Sequence, residues 1–202
     1  MDILFPHEKI RREQDKLISD VLNCIKTKKN MIIHAPTGIG KTAAVLSATL
    51  KYAIDNKKTI FFVTSKHTQH RIAIETLRKI KEKHKIDINV ADLIGKRWMC
   101  MVPNAAEMPA SEFYDFCNEN IDNDTCEFYS NLKDKNKPSV NANFVLNLLK
   151  ENIIEVDELI KVCREKKLCA HEITMMHAQN CDVIIADYFH ILSTPIRENL
   201  LK

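Results

Sequence analysis

Residues 31–56 place a short apolar run, a glycine-bearing loop and a helical pattern in direct succession. Met31-Ile-Ile-His-Ala35 has the apolar, β-branched character of a buried strand. Ala35-Pro-Thr-Gly-Ile-Gly-Lys-Thr42 follows at once, and Lys41–Asn56 carries an apolar stripe of Ala44, Val45, Ala48, Leu50 and Ala53. Only three glycines occur in the 202 residues, Gly38, Gly40 and Gly95, and two of them lie in this loop. Glycine lets backbone N–H groups turn toward an anion, and the N-terminus of the following helix adds partial positive charge. The loop therefore reads as a phosphate cradle formed by Ala35, Pro36, Thr37, Gly38, Ile39, Gly40, Lys41 and Thr42. In such a loop Lys41 bridges the β- and γ-phosphates of a nucleoside triphosphate, and the Thr42 hydroxyl binds Mg²⁺.

The pattern around the loop is that of an α/β protein. Ile10, Leu17, Ile18, Val21, Leu22 and Ile25 recur at helical spacing over residues 8–29. Thr59-Ile-Phe-Phe-Val-Thr64 reads as a strand, Thr68–Lys85 as a crossover helix and Ile86–Val90 as a third strand. Strand, helix, strand, helix, strand predicts a parallel sheet with covering helices. The alternation stops after Gly95 and returns with the buried-strand signature of Cys181-Asp-Val-Ile-Ile-Ala186. The segment between them is helical in pattern, with a polar link at 133–138. We therefore expect residues 1–95 and 180–202 to belong to one α/β unit, with residues 96–179 inserted into it.

Composition constrains the partners. A net charge of +3 does not by itself demand a nucleic acid, yet Lys66–Lys85 gathers Lys66, Arg71, Arg78, Lys79, Lys81, Lys83 and Lys85. Such a run is either a solvated helix face or a phosphate-binding surface. No apolar run approaches membrane-spanning length and no secretory signal opens the chain, so a cytoplasmic protein without a membrane partner is expected.

Seven cysteines are many for a reducing compartment, where metal ligands or small core residues are commoner than disulfides. Cys24 and Cys181 sit in apolar patterns and read as core. Cys100, Cys117, Cys126, Cys163 and Cys169 fall in the inserted segment without any Cys-x-x-Cys pair. Spacing leaves scattered structural thiols, a four-cysteine site and a Cys/His zinc site with His171 or His177 all open.

Several of these segments, in order, resemble the N-terminal part of the XPD family of DNA helicases. Phe5-Pro-His-Glu-Lys-Ile-Arg-Arg-Glu-Gln14 resembles the opening motif, in which the glutamine reads adenine, so the resemblance gives that role to Gln14. Ala35–Thr42 resembles the Walker A loop. Phe62-Val-Thr-Ser-Lys-His-Thr-Gln69 resembles the motif Ia that contacts the DNA backbone, implying contacts from Thr64, Lys66, His67 and Gln69. Ser65-Lys66 stands where Arg-Thr is common, which keeps a cation but not its planar fork.

Leu93–Cys100 resembles the entry to an iron–sulfur domain, and Cys126-Glu-Phe-Tyr and Leu168-Cys169-Ala-His-Glu resemble further ligand segments, each lacking the usual proline. Cys117 fills the second place, and Cys169 is preferred to Cys163 because the helical run Val156–Lys167 leads into it. Asp182–Leu192 resembles the strand that returns to the motor domain.

The resemblance implies a P-loop (RecA-like) parallel sheet interrupted by a mostly helical insertion. It further implies ATP, Mg²⁺ and a 4Fe–4S cluster on Cys100, Cys117, Cys126 and Cys169. The implied activity is 5′-to-3′ unwinding, by a monomer, with single-stranded and forked DNA as partners. No Asp-Glu-x-His sequence occurs in the 202 residues. The family's Asp-Glu-Ala-His box is expected beyond Lys202, so the chain reads as an incomplete motor domain, inactive on its own. Helicases of the DinG and FANCJ type, a non-catalytic metal- and DNA-binding module and another class of P-loop enzyme are the alternative readings.

Overall fold

A computed structural model describes residues 3–200. Helix α1 (Arg12–Lys26) is followed by the glycine loop and α2 (Lys41–Asp55), then β1 (Ile60–Thr64), α3 (His70–His84) and β2 (Val90–Leu93). The next elements are α4 (Ala110–Asp122), α5 (Glu127–Ser130), a small hairpin of β3 (Lys133–Asp134) and β4 (Lys137–Pro138), α6 (Val140–Glu151), α7 (Val156–Glu165) and α8 (Ala170–Ala178). The chain then enters β5 (Val183–Asp187) and ends in α9 (Phe189–Leu192) and α10 (Thr194–Leu200).

The parallel sheet expected from the sequence is present, in the order β1-β5-β2. The strand that follows the insertion is thus the central one. Ile60 pairs with Val183 and Thr64 with Asp187 on one side, and Val90 pairs with Val183 and Leu93 with Ala186 on the other.

Alternation along β5 divides the core in two. Val183 and Ile185 face a cluster with Leu46 and Leu50 of α2, and Ala73, Ile74, Leu77 and Ile80 of α3. Ile184 and Ala186 face the opposite cluster, which contains Val145 and Leu149 of α6, Leu159 of α7 and Ile173 of α8. The inserted helices are therefore the covering layer of the second sheet face. A parallel sheet needs such a layer on both faces. A third cluster joins Leu17, Ile18 and Val21 of α1 to Ala43, Ala44 and Ala48 of α2, whose small side chains let the helices approach closely.

Two strand expectations are corrected. Met31–Ala35 forms no strand among the described residues, and Ile32 is 99% exposed. A strand exists only through its ladder, and no described strand pairs with this segment. The third strand spans Val90–Leu93 and not Ile86–Val90. Ile88 is buried in the α2–α3 cluster, but pairing starts only where the chain comes into register with Val183.

The polar link at 133–138 is a hairpin, with Lys135 and Asn136 at φ 47° and 65°, the left-handed pair that a two-residue turn requires. No helix among the described residues is long and apolar enough to cross a membrane.

Ile185→Ala, in the central strand, should cost about 2–5 kcal/mol of stability by cavity formation. Ile32→Ala, on an exposed segment, should change stability by no more than about 0.5 kcal/mol. Urea unfolding midpoints of the two variants measure the contrast.

Candidate nucleotide loop and cysteine cavity

The glycine loop ends where α2 begins, with Gly40 at φ 80° and Gly38 at φ 86°, both in the region that disfavours side chains. Lys41 Nζ donates to the carbonyls of Ala35 at 2.9 Å and Pro36 at 2.8 Å, so the ammonium sits inside the curve of the loop. Pro36, Thr37 and Gly38 are exposed, and Thr42 is half-buried on the first turn of the helix.

The loop is braced from α1. Gln14 is buried, its Oε1 accepts from the Arg11 N–H at 2.9 Å, and its amide nitrogen would stand 2.2 Å from a Cβ added to Gly40. Arg11 Nη1 donates to the Gly38 carbonyl at 3.0 Å. The structure thus brings Gln14 and the loop together. Arg11 is a further brace that no sequence signal singled out. The α1 entry is anchored in turn, because the Phe5 carbonyl accepts from Lys83 Nζ at 3.1 Å and from His84 Nε2 at 3.0 Å on α3.

Parallel sheets place their ligand sites at the carboxyl ends of the strands. Thr64 ends β1 there, and Lys66, His67 and Gln69 follow as exposed residues. Thr64 itself is buried, and its hydroxyl donates to the Lys66 carbonyl at 3.1 Å, so it shapes the loop from within.

Below this loop His70 and Asp92 form a buried pair, with Nδ1 and Oδ1 2.6 Å apart. Asp92 Oδ2 accepts from the Val156 N–H at the start of α7, at 2.9 Å. Arg78 makes a second tie, donating to the Ile153 carbonyl at 2.7 Å and lying 3.6 Å from Glu155 and Glu158. The helix behind the loop is therefore fastened to the inserted segment at its start and again near its middle. A lone Asp inside the apolar run Val90–Leu93 is the sequence signal that could have flagged the first tie.

The inserted segment brings four distant cysteines to one place. Cys100 follows the 3₁₀ turn Lys96–Met99, Cys117 lies on α4, Cys126 precedes α5 and Cys169 precedes α8. All four line one cavity, walled by apolar groups including Met99, Phe113, Ile121 and Tyr129. Cys163 does not line it. That residue is buried in the core on α7, with its thiol pushed up to about 12 by burial.

Cys181 is likewise buried, as expected. Cys24 departs from expectation: it is half-exposed near the end of α1, where its thiol reaches the Lys29 carbonyl. His171 and His177 are not among the cavity's lining residues. His171 pairs with Glu172 at 3.1 Å, and His177 is buried against the start of β2.

Burial dominates the chemistry of these thiols. It raises Cys100 and Cys117 above the ordinary range and Cys169 to about 12, while Lys96, the one cation lining the cavity among the described residues, pulls the other way. Lys96 is held 3.2 Å from Glu172. Burial lowers its pKa, but Glu172 and the nearby thiols more than compensate. Burial likewise raises Glu172, yet His171 and Lys96 outweigh it and hold the carboxyl down at about 2. Four thiols in an apolar pocket, with so little positive charge to stabilise thiolates, form a donor set matched to a cationic iron–sulfur group, whose binding displaces the thiol protons. The residues present fit that group.

The chain is similar to known helicase families and proteins. The DEAD_2 family matches residues 62–202, and the DEAD/DEAH box helicase family matches residues 11–104. The general transcription and DNA repair factor IIH helicase subunit XPD/RAD3 of Saccharomyces cerevisiae is 23% identical over 99% of this chain and 28% of its own length. Regulator of telomere elongation helicase 1 of Mus spretus is 22% identical over 92% of this chain and 18% of its own. The chain thus spans less than a third of either relative. Among solved structures, an XPD helicase shares the fold with a TM-score of 0.60 and 23% identity, over 96% of this chain and 30% of that one.

Gly38→Ala should cost about 1–2 kcal/mol through its left-handed backbone alone, because nothing lies within 4 Å of the added Cβ. Gly40→Ala should cost more, through its clash with Gln14. Thermal unfolding should show that excess disappear when both variants are made in a Gln14→Ala background.

Proposed function

The chain belongs to the DEAD_2 family, and from that membership we propose that it is part of the first motor domain of an ATP-dependent DNA helicase of the XPD type. In this reading the whole protein acts in the cytoplasm as a monomer, moving 5′ to 3′ on single-stranded and forked DNA. The observation that carries the reading is the convergence of Cys100, Cys117, Cys126 and Cys169 on one cavity in a chain that also holds a Walker-type loop.

ATP binds in the curve of Ala35–Thr42. Its phosphates take the Lys41 ammonium from the Ala35 and Pro36 carbonyls, and the first-turn N–H groups of α2 add their field. Thr42 would offer its hydroxyl to Mg²⁺, and Gln14, packed on the loop, would read the base. Lys66, His67 and Gln69 meet the DNA backbone from the carboxyl edge of β1, with Thr64 setting the loop's shape.

Cys100, Cys117, Cys126 and Cys169 would hold a 4Fe–4S cluster, which would tie four distant chain points together. Residues 1–95 and 180–202 then serve as the motor unit and residues 96–179 as the cluster-bearing insertion. Hydrolysis needs groups beyond these, since positioning and charge stabilisation in phosphoryl transfer come from several motifs together.

Anaerobic purification followed by visible spectroscopy and iron analysis tests the reading. A brown protein containing iron is expected. Ser at Cys100, Cys117, Cys126 or Cys169 should bleach it, while Cys163→Ser, Cys181→Ser and Cys24→Ser should leave the colour. A folded, colourless, iron-free chain contradicts the cluster. Loss of colour in Cys163→Ser with retention in Cys169→Ser contradicts the choice of fourth ligand.

A further inference from the structure

At the loop Thr64–Gln69 three side chains converge outside the nucleotide loop and the cysteine cavity, one of which, His67, is also proposed above to meet the DNA backbone. His67 opens the 3₁₀ turn His67–Gln69 and His70 opens α3, so the two imidazoles stand three residues apart on one continuous turn. Their rings meet edge to face, with centroids 5.4 Å apart. Asp92 reaches the pair from β2, with Oδ1 2.6 Å from His70 Nδ1. One potential ligand atom from each of the three lies within 4.8 Å of the other two.

Burial gives the cluster a direction. His70 and Asp92 are 1% and 4% exposed, whereas His67 is exposed. The group is closed on the side of the sheet and open on the side of the loop. The protein also leaves it incompletely satisfied. His70 Nε2 is buried with no hydrogen-bond partner among the described residues, although buried polar atoms are almost always paired. The carboxylate is firmly placed, since its second oxygen accepts from the Val156 N–H at 2.9 Å.

We propose that His67, His70 and Asp92 form a binding site for a zinc-type divalent cation. Two imidazole nitrogens and one carboxylate oxygen are the donor set that a borderline ion takes in sites with three protein ligands and a fourth position left open. Magnesium and calcium, which take oxygen ligands almost exclusively, do not suit it. The ion takes the place of the proton between His70 Nδ1 and Asp92 Oδ1; the neutral imidazole keeps that proton on Nε2, the atom left without a partner, with no change in oxidation state. Water fills the fourth position on the open, His67 side. The backbone bond from Val156 orients the ligating carboxylate, as outer hydrogen bonds do in metal sites generally.

The test follows the histidines and not the metal, because thiols elsewhere also take zinc. The full chain, labelled with ¹⁵N at its eight histidines, is titrated with zinc chloride and, separately, with magnesium chloride. Zinc should shift the imidazole nitrogens of His67 and His70 together along one saturating curve, and magnesium should shift neither.

His67→Ala changes an exposed residue, so the fold persists and the shift of His70 should vanish at the same zinc concentration. Asp92→Asn should weaken zinc binding by about 10- to 100-fold. Zinc that moves neither ring, or that moves His70 equally in the His67→Ala protein, overturns the proposal and leaves an ordinary buried histidine–aspartate pair.

Discussion

The central strand Val183–Ala186 is the interaction on which everything else rests. Its alternate side chains, Val183 and Ile185 on one face and Ile184 and Ala186 on the other, are each part of a different core. Burying each Val or Ile is worth about 1.5–3 kcal/mol, and this strand does so on both faces at once. The consequence is topological. The chain leaves the sheet after β2, builds α4 to α8, and must return through the middle of the sheet before β1 and β2 have a common neighbour. The insertion cannot be an appendage, because its helices cover the face that β5 presents to them.

That dependence explains how two sites can share one frame. The nucleotide loop is braced from α1 by Gln14 and Arg11, and α1 rests on α2 through small residues. The cysteine cavity is assembled on the far side, from turns that end or begin the inserted helices. Between them, α3 is fastened at its start by His70 through Asp92 to the N-terminus of α7, and further along by Arg78 to Ile153, Glu155 and Glu158. Displacing α7 therefore strains the residues directly behind the loop Thr64–Gln69. This is a physical route between the inserted helices and the edge of the sheet where nucleic acid is proposed to bind. It consists of one buried carboxylate and one half-buried guanidinium.

Much of this was legible in the residues, and the failures have identifiable causes. Helix α2 and strand β1 follow from local pattern, since an apolar stripe or a β-branched run is written where the element forms. Met31–Ala35 has the same kind of pattern and yet makes no strand, because strand formation depends on a neighbour that pattern does not encode. For the same reason Ile86–Val90 was displaced toward Leu93: register with Val183 decides where pairing starts.

The order β1-β5-β2 was not legible at all, because periodicity describes each strand alone. The four cavity cysteines were singled out by family resemblance, not by spacing. Without a Cys-x-x-Cys pair, their convergence is a property of α4, α5 and α8 folding together. Asp92 escaped notice because one acid in a short apolar run carries little weight until its two partners, His70 and Val156, arrive from 22 residues before it and 64 after it.

The sheet and the inserted helices form one cooperative body through β5. Native-state hydrogen exchange as a function of denaturant measures it directly, by assigning an opening free energy to each amide. The amides of Val183–Ala186 should share a single opening free energy with those of Val145 and Leu149 on α6 and of the inner turns of α8. Exchange of α6 and α8 at a markedly lower free energy, with β5 still protected, would show instead that the insertion unfolds independently of the sheet.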